Sequence, residues 1–221
     1  MPAGSQPSHE RTPTSAKRQQ TRERLMDAAY KLFAEVGVHA TSIEAIAEEA
    51  AFTRGAFYSN FASKTELFFA LAQREWDIRL DVVRSVVKEF AANASPQSLQ
   101  QRVSTLVVEV FTALPDDRKW ALIYREFELL ALRDPTIARQ YVEHEKEFQT
   151  QLRKVLQDAA EFFNLEFSLD AGAVAQIIAL IHQRAVEVAI LSGTDDVATA
   201  TRDELLRSLP PLLDVITTTR P

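Results

Sequence analysis

Residues 41–67 read TSIEAIAEEAAFTRGAFYSNFASKTEL. The stretch holds three helix starts in quick succession. Thr41-Ser42-Ile43-Glu44 fits a capping box, with Thr41 as the cap and Glu44 reaching back to satisfy an orphan N–H. Ile43, Ile46, Ala47 and Ala50 then supply the inner face of a short helix of about nine residues. After Ala51-Phe52, Thr53 caps a second short helix that ends near Phe61, and Ser63 with Glu66 caps a long one. Two short helices joined by a tight turn, the second opening on a polar cap, form the pattern of a helix-turn-helix.

Working outward, Leu25, Ala28, Ala29, Leu32, Phe33 and Val36 fall on one face of a preceding helix that starts near Lys17, with Gly37 placed just past its end. Residues 1–15 are rich in Pro, Ser, Thr and Gln without apolar periodicity and read as a disordered tail. C-terminal to the motif, the long helix carries Leu67, Leu71, Leu80, Val83, Val87 and Phe90 on its apolar side and ends at Asn93-Ala94-Ser95-Pro96. Further helical segments follow at about 97–114, 117–132, 135–164, 170–191 and 200–217. Breaks fall at Pro115-Asp116-Asp117, at Asp134-Pro135, from Asn164 to Ser168 and at Ser192-Gly193-Thr194. No alternating strand pattern is visible. The expectation is an all-α chain of about nine helices: a tail over 1–15, a helix-turn-helix domain over 16–62 and a larger helical domain over 63–221. With only 5 glycines and 46% hydrophobic residues, the composition favours a well-filled helical core over turn-rich sheets.

The chain has no cysteine, which excludes disulfides, thiolate metal sites and cysteine nucleophiles. The first 24 residues hold no apolar run of the signal-peptide kind, and no uncharged apolar stretch reaches the roughly 18 residues of a membrane span. A cytoplasmic protein is expected. Net charge is −6, but residues 1–67 carry eight basic and eight acidic side chains, so the whole excess lies in 68–221. Between Arg11 and Arg24, five cations (Arg11, Lys17, Arg18, Arg22 and Arg24) face one acid, Glu23. That cluster reads either as a basic arm for phosphate or as a solvated tail. Catalytic patterns are missing. The four histidines, His9, His39, His144 and His182, show no metal spacing, and His144-Glu145 lacks the second histidine of a zinc-protease helix because position 148 is Phe. Gly-rich phosphate loops and nucleophile elbows are absent too. No enzyme, cofactor or metal is expected.

The motif resembles the DNA-binding domain of the tetracycline-repressor (TetR) family. The resemblance is carried by Thr41, Ile46, Ala47, Ala50, Thr53-Arg54-Gly55, Tyr58, Phe61, Lys64 and Leu67, with Ala28, Leu32, Phe33 and Gly37 in the helix before. One departure is Ala51, where the family usually has a glycine for a positive-φ turn position: alanine either takes that φ at a cost of about 1 kcal/mol or the turn has a slightly different shape. The resemblance implies a homodimer that binds double-stranded DNA and responds to a small molecule. In groove geometry the N-terminal residues of the second helix meet the bases, which points to Thr53, Arg54 and Gly55. Arg54 can take guanine bidentately or contact only phosphate. Ser59 and Asn60 are further polar candidates. Tyr58 can offer its phenol to phosphate or stand half-buried as structure. Lys64 resembles the family's phosphate-binding lysine, and Thr41 at a helix start is a natural phosphate site.

The helix at 170–191 is apolar nearly all round, so it must be covered on two sides. In the family the last two helices form a four-helix dimer interface, which places it here at about 170–191 and 200–217. Pro210-Pro211 predicts a kink or break in the last helix. Candidate pocket residues are Trp76, Trp120, Tyr124 and Phe127, together with His144, Phe148, Gln183 and Glu187, each with an alternative reading as core. Gln183 and Glu187, one turn apart, either orient a ligand group or pair across the dimer. The expected function is a repressor released from a palindromic operator by an effector. An activator or ligand-independent regulator of the same fold remains open, as does a helical small-molecule carrier that no longer reads DNA.

Overall fold

The computed structural model describes residues 13–92, 99–114 and 118–219. The breaks expected at Asn93-Ala94-Ser95-Pro96 and Pro115-Asp116-Asp117, and residues 1–12 of the expected tail, lie outside the described residues. The chain runs α1 (Pro13–Val36), α2 (Ile43–Glu49), α3 (Arg54–Tyr58), α4 (Lys64–Ala92), α5 (Leu99–Ala113), α6 (Arg118–Arg133), α7 (Pro135–Phe162), β1 (Leu165–Phe167), α8 (Ala171–Leu191), α9 (Val197–Ile216) and β2 (Thr217–Thr219). It divides into two compact units between Leu71 and Ala72. α1 already begins at Pro13, three residues inside the stretch read as disordered, because proline suits the first turn of a helix.

The first unit closes around Leu25, Ala29, Phe33, Ile46, Phe57, Phe61, Leu67 and Phe68, all essentially inaccessible. Val36, placed on this face by periodicity, is exposed. Val38 beyond Gly37 fills the core instead, since Gly37 at φ 88° turns the chain back. The cap of α2 is Ser42, not Thr41: Ser42 Oγ accepts from Ala45 N at 3.0 Å, while the buried Thr41 hydroxyl donates to Gly37 O at 2.7 Å. The Thr41–Glu44 capping box therefore does not form. Thr53 does cap α3, its Oγ1 accepting from Ala56 N at 3.1 Å. Ser63 Oγ caps α4 through Glu66 N at 3.0 Å, and Glu66 reaches back to Ala62 N at 2.6 Å.

In the second unit α8 packs against α6, α7 and α9, and α9 also covers α5. Its core includes Val107, Val174, Ala185, Leu205, Leu209 and Leu213. By length and composition α8 is apolar enough to cross a bilayer, yet it carries Arg184 and Glu187 and is packed among these helices. α9 runs unbroken through Pro210 and Pro211, so of the kink or break expected there the break does not occur. The prolines remove the hydrogen bonds to the Leu206 and Arg207 carbonyls. Leu205 and Leu209 before them and Leu213 and Ile216 after them are buried, so packing holds both halves in one helix.

A two-stranded antiparallel sheet was not legible in the sequence. Asn164 takes φ 54° past the end of α7, and Leu165, Glu166 and Phe167 pair with Thr219, Thr218 and Thr217. Three-residue strands are too short to show a period of two.

Ala51 stands at φ 57° between α2 and α3, where the Cβ of any L-residue crowds the backbone. Relief of that strain exceeds the extra unfolded-chain entropy of glycine, so Ala51→Gly should stabilise the protein by about 0.5–1 kcal/mol. A urea midpoint that rises checks this. An unchanged or lower midpoint contradicts it.

Candidate nucleic-acid interface and cavity

α2 and α3 are so short that most of their backbone groups are end groups needing outside partners. Three cations supply partners to carbonyls of the flanking turns. Arg24 donates to Ala50 O at 2.8 Å and lies over the Phe52 ring at 4.6 Å. Arg22 donates to Asn60 O and lies over Phe61 at 4.1 Å. Lys64 Nζ donates to Val38 O and Thr41 O at 2.7 Å each and to His39 O at 3.4 Å. An ammonium has three donors, and all three are engaged. Burial lowers the Lys64 pKa from its ordinary value. Two of the five clustered N-terminal cations are thus fastened to the module itself. Lys17 and Arg18 are exposed on α1, and Arg11 lies outside the described residues.

The remaining candidates separate by exposure. Thr53, Arg54, Gly55, Tyr58 and Ser59 are exposed on or beside α3. Thr41 is buried with its hydroxyl turned inward. Asn60 is also buried: its Nδ2 donates to Ala56 O at 2.8 Å, and its Oδ1 meets no donor among the described residues. The backbone at Asn60 already turns out of α3, which carries the side chain off the exposed face. Ser59 Oγ donates to Gly55 O at 2.9 Å.

Arg54 forms an ion pair with Glu44 at 2.8 Å, and its guanidinium stands 5.5 Å from the Tyr58 ring centroid. Both charged groups are more than half exposed, and exposed pairs are weakly held because water screens them. Arg54 can therefore exchange Glu44 for a base or phosphate at little cost. Sequence reasoning did not single out this Glu44 partner, although the pair joins the first turns of α2 and α3. A Cβ built on Gly55 would meet only Thr53 Oγ1, at 3.7 Å. Among the described residues nothing demands a glycine there, and the backbone at Gly55 is open to the outside.

The second unit contains a cavity of about 530 Å³. Trp76, Trp120, Tyr124, Phe148, Gln183 and Glu187 line it. Phe127 is packed in the core, and His144 stacks behind Trp76, with ring centroids 4.2 Å apart, so neither lines the space. Burial lowers the His144 pKa to about 4, keeping the ring neutral at neutral pH. Gln183 and Glu187 are both engaged within the chain. Arg125 donates to Glu187 and Glu128, and Gln183, oriented with Oε1 toward Arg125, accepts at 2.6 and 2.8 Å. Arg125, Tyr141 and Glu145 line the cavity without having been singled out in the sequence. The signal was there: Tyr141, Glu145 and Phe148 follow at i, i+4 and i+7 on α7.

The helix-turn-helix is shared with known proteins. The family profile of bacterial regulatory proteins, tetR family, matches residues 25–71. The uncharacterized HTH-type transcriptional regulator TtgW of Pseudomonas putida is 39% identical over 98 residues, covering 39% of this chain and 73% of that protein. The chain belongs to the TetR family. A second TetR-like relative, the "Probable acrEF/envCD operon repressor" of Escherichia coli (strain K12), is 29% identical over 167 residues, 75% of this chain and 74% of that protein. The fold recurs in a candidate TetR-family regulator from Mesorhizobium loti MAFF303099, with a TM-score of 0.69, 16% identity and coverage of 91% and 99% of the two chains. As a TetR-family member this all-α chain is a helix-turn-helix transcriptional regulator that binds DNA, not an enzyme.

The hydrogen bonds of Lys64 make a test of its role. Lys64→Met leaves its carbonyls without donors and should cost about 1–3 kcal/mol of stability. In the still-folded variant the slope of log affinity for DNA against log salt should be unchanged. A lysine bound to phosphate would instead lower that slope by about 1.

Proposed function

We propose that the protein is a homodimeric repressor, acting in the cytoplasm, that holds a palindromic operator and is released from it by a small molecule. In this reading residues 16–62 form the DNA-reading domain and residues 63–221 the sensing and dimerising one. The observation that carries the DNA-reading assignment is the α3 surface. An open glycine, an arginine held only by exposed neighbours (Glu44 and the Tyr58 ring), a hydroxyl at the helix start and a half-exposed Tyr58 share one short helix. Arg54 reads a guanine edge, Tyr58 and Ser59 contact the backbone, and Gly55 lets the duplex come close. Thr41, Asn60 and Lys64 act from beneath by fixing the turns that present this surface.

Dimerisation is supported by apolar side chains left uncovered on the last two long helices. Leu180, Val188 and Leu191 of α8 and Val215 of α9 are exposed by 58%, 41%, 78% and 78%. The three on α8 lie in one stripe at helical spacing. A two-fold partner would cover them and match the symmetry of two DNA half-sites. The cavity, whose size suits a drug-like or metabolite-like ligand, receives the effector. Effector and operator prefer different states of the dimer, so each weakens the binding of the other by the same factor.

Selection of genomic fragments by the purified protein at about 0.1 M salt tests the reading, because specific binding outlasts nonspecific attraction there. A two-fold symmetric site should emerge. Gly55→Ala should lose that selection while melting at or above the wild-type temperature, since alanine favours the helix. Fragments that share no site, or selection retained in Gly55→Ala, count against the assignment.

A further inference from the structure

The cavity's charges are unevenly matched, and the imbalance identifies a ligand class. This step rests on reading the cavity as the effector site. Two cations, Arg79 and Arg125, and three carboxylates, Glu128, Glu145 and Glu187, line it. Arg125 is taken by Glu128 and Glu187. Arg79 is taken by Glu75, at 3.0 Å. Glu145 accepts a hydrogen bond from the neutral Tyr124 hydroxyl, and among the described residues no cation pairs with it. Burial, with the like charge of Glu128, pushes its carboxyl above the usual carboxylate range against the opposing pull of Tyr124. The protein thus keeps a partly desolvated acid with no counter-ion of its own, which costs free energy unless something else supplies one.

The wall beside Glu145 is aromatic. The Tyr124 ring centroid lies 5.8 Å from those of Trp76 and Tyr141 and 5.5 Å from that of Trp120. Phe148 extends the wall, 4.4 Å from Trp76. Aromatic faces attract cations, and they do so more strongly when water is excluded. Most of the remaining lining is aliphatic, from residues such as Leu80, Val83, Val87 and Leu156.

We propose that the cavity binds an organic cation with a bulky apolar body, its charge held at Glu145 and its hydrocarbon against the Trp76–Tyr124–Tyr141 wall. An anion would face the uncompensated carboxylate and would have to break both pairs of Arg125 to find a partner. A neutral apolar ligand would strip the remaining water from Glu145 without replacing it. Only a cation gains from both the acid and the rings.

Tetraphenylphosphonium and tetraphenylborate, equal in shape and opposite in charge, are suitable probes. Trp76 and Trp120 are the only two tryptophans of the chain and both line the cavity, so intrinsic fluorescence reports on this site. Titration should show saturable quenching by the phosphonium, with the borate at least about tenfold weaker. Glu145→Gln keeps an acceptor for Tyr124 but removes the charge. It should weaken the cation by about tenfold and bring the two probes close together. Equal binding of both ions by the wild type, preference for the borate, no saturable quenching by the phosphonium, or an unchanged preference in Glu145→Gln overturns the proposal. The wild-type comparison stands even if the variant does not fold. Adding the phosphonium to the protein–operator complex separates the two readings. Selective binding without DNA release would retain the cation site and remove its effector role. DNA release by other ligands, with no phosphonium binding, would retain the effector role and remove the cation.

Discussion

A reading head made of short helices and tight turns has to satisfy turn carbonyls that lie outside any helical ladder. Here side-chain cations do it. Lys64 gathers the carbonyls of Val38, His39 and Thr41 before α2, Arg24 holds that of Ala50 after α2, and Arg22 holds that of Asn60 after α3. The turns on both sides of α2 and the end of α3 are thereby fixed from α1 and α4. The exposed face of α3 is left free of such duties. Its one charged group, Arg54, is tied only at the surface, to Glu44 and the Tyr58 ring. Rigid support and a weakly committed surface belong together in a module that must meet an outside partner in one register.

That division of labour explains what the sequence could and could not show. The helix-turn-helix was legible because caps and apolar spacing are local. Thr53, Ser63 and Gly37 act where a reading of neighbouring residues places them. Ala51 stood out only against the family's usual glycine, which left either a strained residue or a differently shaped turn, and its φ of 57° shows the strained one. The destination of a long side chain was not legible. Arg22, Arg24 and Lys64 look like a phosphate-binding set in one dimension, yet each reaches a carbonyl 23 to 38 residues away along the chain. Thr41 and Ser42 are adjacent hydroxyls, and choosing the cap between them required knowing that Gly37 O was within reach of Thr41. Pro210 and Pro211 were read as a kink or break because local hydrogen bonding disfavours them, while the buried leucines on either side hold the helix continuous despite that loss.

The second unit follows the same logic. Periodicity located its helices, and aromatic residues on α4, α6 and α7 pointed toward an internal space. Which polar groups face that space depends on three-dimensional pairing. Gln183 and Glu187 prove to be partners of Arg125, which leaves Glu145 as the lining acid with no cationic partner among the described residues. A regulator's cavity has to be stable when empty and still reward a ligand. An aromatic wall around a single uncompensated carboxylate meets both needs at modest cost, because Tyr124 solvates the acid until a better partner arrives.

In the proposed regulator the exposed face of α3 meets DNA. Because the chain contains no cysteine, single thiols can be introduced and labelled without background. The measurement is the alkylation rate of Thr53→Cys and of Leu132→Cys, the latter on an exposed position of α6, with and without the selected operator. Severalfold protection of position 53 by operator DNA, with position 132 unaffected, is the expected result. Equal rates at position 53 with and without bound operator would contradict the account.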